Sequence, residues 1–158
     1  MENTNTNWGQ SVCGVVIRDG KVLLARHTYG AGKGLFIVPG GYTEHGETPQ
    51  DAMVREVFEE TKVVVEPQRI IGIRFNPHDW YVAFSARYVS GEACSDGDEN
   101  DAVVWMEFRE ALERSDVPDL TKKLIQCALR EEKGFSLLPY EGKSKQGQGY
   151  LFGIDFAE

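Results

Sequence analysis

The chain has 158 residues, 41% of them hydrophobic, which suits a single globular unit with a substantial core. Its net charge of −8 at pH 7 argues against binding to long nucleic acid or to an anionic membrane, since both need a basic surface. A small phosphate-bearing substrate is compatible with this charge, because a bound metal ion would supply positive charge locally.

The sequence has no apolar run that approaches the length of a membrane span, and the polar residues 1–10 do not resemble a signal peptide. Cys13, Cys94 and Cys127 are odd in number and far apart, so they suggest neither a disulfide framework nor a zinc site. We therefore expect a soluble protein of the reducing cytoplasm with no membrane partner.

Short strands are predicted at the start of the chain. Residues 11–17 and 22–25 are β-type runs separated by an Asp-Gly pair, which is a strong signal for a hairpin turn. Residues 28–34 contain three glycines but lack the Walker spacing, which favours a plain surface loop over a phosphate cradle. Residues 35–38 predict a short buried strand that leads to a proline and two glycines.

An acidic helix follows the glycine pair Gly40 and Gly41. Thr48 suits its N-cap and Pro49 its first turn. A helical wheel assigns one apolar stripe to Val54, Val57, Phe58 and Thr61. The charged residues fall on the opposite side, namely Arg55, Glu56, Glu59 and Glu60.

Three glutamates on one helix face repel one another, by roughly 0.2–0.5 kcal/mol for each pair on an open helix. A hard divalent cation such as Mg²⁺ would reverse this effect, because it prefers carboxylate oxygen ligands. A solvated acidic face is the alternative. The glycine pair, which lets the backbone approach a ligand closely, and the isolated Glu47 favour the metal site.

The spacing of these residues resembles the Nudix box of the Nudix hydrolases. Five residues separate Gly41 from Glu47, and seven more precede the run Arg-Glu-Val-Phe-Glu-Glu-Thr-Lys-Val that begins at Arg55. Every charged position of the motif is matched. The chain departs from it at Lys62, where the family usually has a glycine that ends the helix in a left-handed turn. This departure concerns the end of the helix and no metal-binding position.

The resemblance implies both a fold and a reaction. The fold is of the α/β class, a Nudix-type α/β/α sandwich with a mixed β-sheet. The enzyme would be a Nudix pyrophosphohydrolase, which cleaves the diphosphate linkage of a nucleoside diphosphate derivative with Mg²⁺ or Mn²⁺ and a water nucleophile. Small nucleotide-type substrates that fit include ADP-ribose, dinucleotide cofactors, dinucleoside polyphosphates and oxidised nucleoside triphosphates.

The resemblance also implies roles for individual residues. The groups that correspond to metal ligands are the Gly40 carbonyl and the carboxylates of Glu56, Glu59 and Glu60. Glu47 and Arg55 correspond to supporting groups, since a bidentate contact between them would hold the helix against the loop. Glu56 is also one of two candidates for the general base.

The second candidate base lies in the acidic loop at residues 91–101, most of which is expected to be solvated. Nudix hydrolases often have a glutamate ahead of a strand that contains a tryptophan, and it serves as a metal ligand or base. Glu99 precedes Trp105 in this way and is favoured over Asp101. The sequence leaves the choice between Glu56 and Glu99 open.

Strands are predicted between the box and this loop, at residues 63–65, 69–75 and 80–89. The turn before the last strand contains His78 and leads into Trp80 and Tyr81. Their aromatic rings could stack on a nucleobase, with His78 or Asp79 near a sugar hydroxyl. Ordinary cross-strand packing in a hairpin is the alternative.

Two helices are predicted after the acidic loop, at residues 108–115 and 119–132, with an apolar face on the second from Leu120, Leu124, Ile125, Cys127 and Ala128. We divide the chain into a Nudix domain at 1–134 and a C-terminal extension at 135–158. The extension has a linker at 141–149 and an apolar segment at 150–156. That segment would add an edge strand, cover the rim of the site or bind a second subunit in a homodimer.

Two other functions are compatible with the sequence. One is a catalytically silent Nudix-fold module that senses a nucleotide or binds a partner, although such a module does not need the full set of box carboxylates. The other is a decapping or RNA-processing enzyme, which the acidic charge and the lack of a basic stripe disfavour for long RNA.

Overall fold

The computed structural model describes residues 9–141 and 149–155, and a mixed sheet lies at its centre. In chain order the strands of this sheet are β1 (Gly9–Arg18), β2 (Lys21–His27), β3 (Phe36–Ile37), β4 (Gly40–Tyr42), β5 (Val64–Asn76), β6 (Asp79–Ser90) and β7 (Asn100–Glu107). The main order is β3-β2-β1-β6-β5, with β4 beside β1 and β7 beside β2. β1 and β6 run parallel while the other pairs are antiparallel, as a mixed sheet requires.

The predicted hairpin joins β1 to β2. Asp19 and Gly20 have φ angles of 52° and 76°, and a two-residue hairpin turn of this kind needs positive φ at both positions. The strand predicted at residues 35–38 is shorter than expected. The amide of Leu35 donates to Gly32 in the preceding turn, so only Phe36–Ile37 pairs with β2.

Helices cover both faces of the sheet, namely α1 (Pro49–Thr61), α2 (Phe108–Glu113) and α3 (Asp119–Ala128). On one face α1 packs through Met53 and Val57 against a cluster that contains Phe84. On the other face Ala111 of α2 and Ile125 of α3 join a second cluster. The result is the expected α/β/α arrangement, and none of the helices described is long and apolar enough to span a membrane.

The buried side of α1 differs from the predicted stripe. Met53, Val57 and Thr61 are buried, but Phe58 is 46% exposed. Glu60, which the helical wheel placed on the side opposite the apolar stripe, is only 5% exposed. The helix is turned so that Met53 faces the sheet, which brings Glu60 inward and Phe58 outward. The stripe that included Phe58 was therefore wrong.

Two other boundaries also differ from the prediction. β5 runs without a break through Pro67, where its register to β6 shifts, and a proline is tolerated because β5 lies at the edge of the sheet. α3 ends at Ala128, and a short 3₁₀ helix at Glu131–Lys133 replaces its predicted last turn. Leu120 and Cys127 are exposed rather than packed on the sheet.

The C-terminal extension adds a small sheet of two strands, β8 (Ser136–Leu138) and β9 (Leu151–Gly153), which pair antiparallel. Phe152 of β9 packs edge-on against Phe84 of the core, with 5.6 Å between the ring centroids. The apolar segment therefore forms a strand that covers the α1 side of the main sheet.

Most of the linker predicted at 141–149 lies outside the described residues, as do residues 156–158 and 1–8. The division of the chain at residue 134 stays a prediction. So does the alternative in which the apolar segment binds a second subunit.

Candidate active site

A polar cleft of about 560 Å³ opens where the glycine loop, α1 and the start of β7 meet. The cleft contains most of the predicted site residues: Gly40, Glu56, Glu59, Glu60, Arg55, Tyr81 and Glu99. Segments distant in sequence meet here because β4 pairs with β1 while α1 packs across the same end of the sheet.

Arg55 lies at the centre of the box residues. Its Nε donates to Glu47 Oε2 at 3.0 Å and its Nη2 to Glu47 Oε1 at 2.6 Å, a bidentate contact. Its Nη1 donates to Glu56 Oε1 at 2.9 Å and to Glu59 Oε2 at 3.2 Å, and Nη2 also donates to the Tyr42 carbonyl. Arg55 thus fastens the helix to the loop and holds two of the predicted ligand carboxylates.

Glu60 is the buried carboxylate of the site. Burial, followed by the nearby charge of Glu56, raises the pKa of Glu60 to about 8. The amide of Gly40 donates to its carboxylate, but Glu60 Oε2 is buried with no hydrogen-bond partner. A buried carboxylate oxygen without a partner is costly unless it meets a proton or a cation.

The remaining carboxylates of the cleft are less buried than Glu60. Burial raises the pKa of Glu56, and the charges of Glu59 and Glu99 act in the same direction. In the part of the chain that is described, no three His, Cys, Asp or Glu side chains converge closely enough to hold a metal ion as they stand. Glu56 and Glu59 instead contact Arg55.

Two backbone positions shape the loop and the helix end. A Cβ atom at Gly40 would collide with the backbone oxygen of Val12, so only glycine allows the loop to lie this close to β1. A Cβ atom at Gly41 would displace the carboxylate of Glu56. Lys62 has φ of 64°, and its amide donates to Phe58. It therefore forms the left-handed helix end that the usual glycine would form, at some conformational cost.

Glu99 reaches the same cleft from the start of β7, and the carbonyl of Glu99 accepts a hydrogen bond from the amide of Thr28. Its neighbour Asn100, which was not predicted, is 1% exposed and donates through Nδ2 to the Glu60 carbonyl at 2.9 Å. Asn100 therefore joins the Glu99 segment to the end of α1. Asp101 points elsewhere and pairs with Arg26.

The three predicted substrate-binding residues lie at three different places in the structure. Tyr81 lines the cleft, whereas Trp80 lies on the opposite side of β6, because successive side chains of a strand point to opposite faces. The Trp80 ring meets Phe75 edge-on at 5.2 Å. His78 is exposed at the turn, where its carbonyl accepts from Gly9, and it is not among the residues that line the cleft.

Trp80 lines a second space, which we call the apolar cavity. It measures about 500 Å³ and is bounded by the start of α1, by β5 and β6, and by Tyr150, Leu151 and Phe152 of the C-terminal extension. Ser11 and Thr43 line both the cleft and the apolar cavity, so the two adjoin. The hydroxyl of Thr43 is buried at this junction without a hydrogen-bond partner.

Two aromatic residues of the cleft wall were missed. His27 and Tyr29 line the cleft, with their rings stacked 6.1 Å apart, although residues 28–34 were interpreted as a plain loop. Burial lowers the pKa of His27. Nothing in the local sequence identifies them, since it is the pairing of β2 with β7 that carries this segment to Glu99.

Comparison with known proteins agrees with this geometry. A family model described as "NUDIX domain" matches residues 8–127. The chain belongs to the Nudix family. That membership confirms the resemblance drawn from the box, and with it the assignment of the chain as a Nudix pyrophosphohydrolase.

Individual Nudix relatives vary in length and name. The ADP-ribose pyrophosphatase of Methanocaldococcus jannaschii is 29% identical over 133 residues, which cover 78% of this chain and 75% of that protein. The NAD-capped RNA hydrolase NudC of Edwardsiella ictaluri is 33% identical over 112 residues. This match covers 69% of the chain but only 43% of NudC.

A Nudix hydrolase from Nitrosomonas europaea of known structure shares the fold. The two structures superpose with a TM-score of 0.70 and 22% sequence identity, over 77% of this chain and 69% of the other. This similarity supports the Nudix fold.

Proposed function

We propose that this Nudix protein hydrolyses the diphosphate linkage of a nucleoside diphosphate derivative in a reaction that depends on Mg²⁺ or Mn²⁺. The observation that carries the proposal is the buried oxygen of Glu60, which has no hydrogen-bond partner and faces a cleft that Glu56 and Glu59 also line. A structural helix has no need for such an arrangement, because burial and the charge of Glu59 make Glu56 harder to ionise, and burial and the charge of Glu56 do the same to Glu60.

The donor set fits a hard divalent cation. Glu56, Glu59, Glu60 and the carbonyl of Gly40 supply oxygen ligands, which Mg²⁺ and Mn²⁺ prefer. A cation here would also offset the repulsion that raises the pKa values of Glu56 and Glu60. When bound, the metal would supply positive charge to the diphosphate and lower the pKa of a nearby water.

The chain's own residues would position the reaction. Arg55 and Glu47 hold the helix against the loop, so that the ligand carboxylates keep a fixed distance from Gly40. Glu56 or Glu99 would accept the proton of the attacking water, and both carboxylates line the cleft.

The apolar cavity is suited to the ring of the substrate. A planar base would contact Trp80, and the unpartnered hydroxyl of Thr43 would offer it or its sugar a hydrogen bond. Tyr81 would contact the part of the substrate inside the cleft. His78 is a weaker candidate, since its exposed side chain could contact only a part of the substrate that extends beyond the cleft.

ADP-ribose is the first substrate to test, because a relative with this activity in its name matches most of the chain. The experiment measures release of phosphate or of the corresponding mononucleotide from ADP-ribose, NADH, a dinucleoside polyphosphate and an oxidised nucleoside triphosphate, each with Mg²⁺, Mn²⁺ or chelator. Metal-dependent cleavage of one of them would support the proposal. If folded protein cleaves none of them, the silent nucleotide sensor becomes the better explanation.

A further inference from the structure

The cleft is strongly acidic, although the proposed substrate is an anion. Its lining includes five carboxylates, those of Glu44, Glu56, Glu59, Glu60 and Glu99. A diphosphate substrate is itself strongly negative. Besides a bound metal ion, its binding therefore needs a cationic side chain that is not already paired with the carboxylates of the cleft. Arg55 and Arg74 are the two arginines that line it.

Arg55 is not available for a substrate. All of its guanidinium nitrogens donate to Glu47, Glu56, Glu59 or the carbonyl of Tyr42. If Arg55 turned toward a phosphate, it would release the contacts that fasten α1 to the loop.

Arg74 differs in this respect. Its Nη2 donates to Asp79 Oδ2 at 2.5 Å, and its guanidinium lies 5.0 Å from the centre of the Tyr81 ring. Its Nε is buried and has no hydrogen-bond partner. Asp79 also accepts from the hydroxyl of Ser11, which further fixes the carboxylate that holds the guanidinium. Because Nε is buried, a ligand in the cleft could reach only the terminal nitrogens of this guanidinium, whose side chain is 39% exposed.

We propose that Arg74 forms an anion subsite that binds a phosphoryl group of the substrate. The subsite rests on the proposed function, because the anion is taken to be the diphosphate that is cleaved. A guanidinium presents several donors in a plane and matches the oxygens of a phosphate. The ion pair with Asp79 and the Tyr81 ring hold that plane in position before substrate arrives. Arg74 comes from β5, so it faces the diphosphate from a different wall than the carboxylates of α1.

The alternative is a purely structural ion pair that fastens the hairpin between β5 and β6. Two substitutions separate these explanations. Arg74→Gln and Asp79→Asn both break the pair, but only Arg74→Gln removes the cation. A structural pair predicts similar effects of both on thermal stability and on KM. An anion subsite predicts a similar loss of stability but different effects on KM.

The experiment measures kcat and KM for ADP-ribose with Mg²⁺, together with Tm, for wild type and these two variants. We expect KM to rise at least about tenfold in Arg74→Gln and clearly less in Asp79→Asn, because Asp79→Asn loses only a group that orients the guanidinium and keeps the cation itself. Arg74→Lys, which keeps the charge but loses the planar set of donors, should lie between wild type and Arg74→Gln. Arg87→Gln is the matched control, since Arg87 pairs with Glu66 on the same sheet and does not line the cleft. Equal rises in KM for Arg74→Gln and Asp79→Asn, or no rise for Arg74→Gln, would overturn the subsite.

Binding of inorganic pyrophosphate with Mg²⁺, measured by calorimetry, tests the subsite without turnover. The subsite is supported if wild type and Asp79→Asn bind pyrophosphate and the affinity of Arg74→Gln is at least about tenfold weaker. This result would support the subsite even if no nucleotide in the substrate screen is cleaved. Pyrophosphate that binds wild type and Arg74→Gln equally, or does not bind wild type at all, overturns it. The substrate screen separately decides the hydrolase proposal.

Discussion

Arg55 of α1 binds Glu47 of the preceding loop through two parallel hydrogen bonds, of 3.0 and 2.6 Å. The Arg55 guanidinium holds the pKa of Glu47 below its usual value, so Glu47 stays charged at neutral pH. This contact fixes the position of α1, and with it the carboxylates of the helix, relative to the glycine loop. Glu47 itself is not among the proposed metal ligands.

Removal of the charge at position 47 should weaken catalysis more than it weakens the fold. Glu47→Gln keeps the shape but loses the charge-assisted contact, and a group that orients metal ligands typically contributes about 10–100-fold to activity or metal affinity. We expect kcat/KM to fall within that range and the metal concentration for half activity to rise. Glu66→Gln breaks a surface pair with Arg87 and serves as the control. Equal activity of Glu47→Gln and wild type at all metal concentrations would show that the contact has no positioning role.

The raised pKa of Glu60 predicts an unusual pH dependence of stability in chelator. In the folded protein this carboxyl retains its proton to about pH 8, whereas its reference value is 4.5. The native state therefore binds more protons in this window, and the free energy of unfolding falls as pH rises from about 4.5 to about 8.

Glu60→Gln should abolish that part of the pH dependence. Without metal we expect the variant to be more stable than wild type at pH 8, by roughly 1–3 kcal/mol, and the difference to disappear towards pH 4.5. Urea unfolding at several pH values measures it. Added Mg²⁺ should stabilise wild type and not Glu60→Gln. Parallel pH profiles for the two proteins would contradict the burial argument.

Trp80 provides a test of the apolar cavity. Trp80→Ala should raise KM for ADP-ribose by about 5–150-fold, because stacking on a base contributes about 1–3 kcal/mol, while Tm changes little for a residue 48% exposed. Phe75→Ala removes the ring that meets Trp80 edge-on and is the packing control, since Phe75 does not line the cavity. If Trp80→Ala lowers Tm as Phe75→Ala does and leaves KM unchanged, Trp80 only packs the hairpin.

Lys62 should be replaceable by the glycine that the family usually has. A residue with a Cβ is destabilised by about 1–2 kcal/mol in the left-handed region, and glycine removes this strain. Glycine also gives the unfolded chain more conformational entropy, which offsets part of the gain in stability. We expect Lys62→Gly to stabilise the protein by about 0.5 kcal/mol with unchanged kcat/KM. Destabilisation by more than about 1 kcal/mol would mean that the contacts of Lys62 with the Glu59 carbonyl and the Phe58 ring matter more than its backbone strain.

The local sequence was sufficient to predict the box loop and the hairpin at Asp19, because spacing and turn chemistry determine these features, whereas the sandwich with its mixed sheet was predicted from the resemblance to the Nudix family. The prediction of the buried side of α1 was wrong, because a helical wheel does not show which face meets the sheet when both faces contain apolar residues. The burial of Glu60 could not be predicted for the same reason.

The separation of Trp80 from Tyr81 could have been predicted, because neighbouring residues of a strand point to opposite faces. Asn100 and Arg74 could not, since their contacts with Glu60 and Asp79 depend on strand pairing. A polar residue in a β-run gives no sign by itself that it reaches the site.

The most direct test of the account compares wild type with Glu56→Gln. AMP release from ADP-ribose is measured with saturating Mg²⁺ and with chelator, and circular dichroism confirms that both proteins are folded. We predict that chelator stops the wild-type reaction and that Glu56→Gln loses at least about a hundredfold in kcat, as expected for a group that acts as metal ligand and base. Turnover at the wild-type rate by folded Glu56→Gln, or turnover in chelator, would contradict the central claim that these carboxylates hold the catalytic metal.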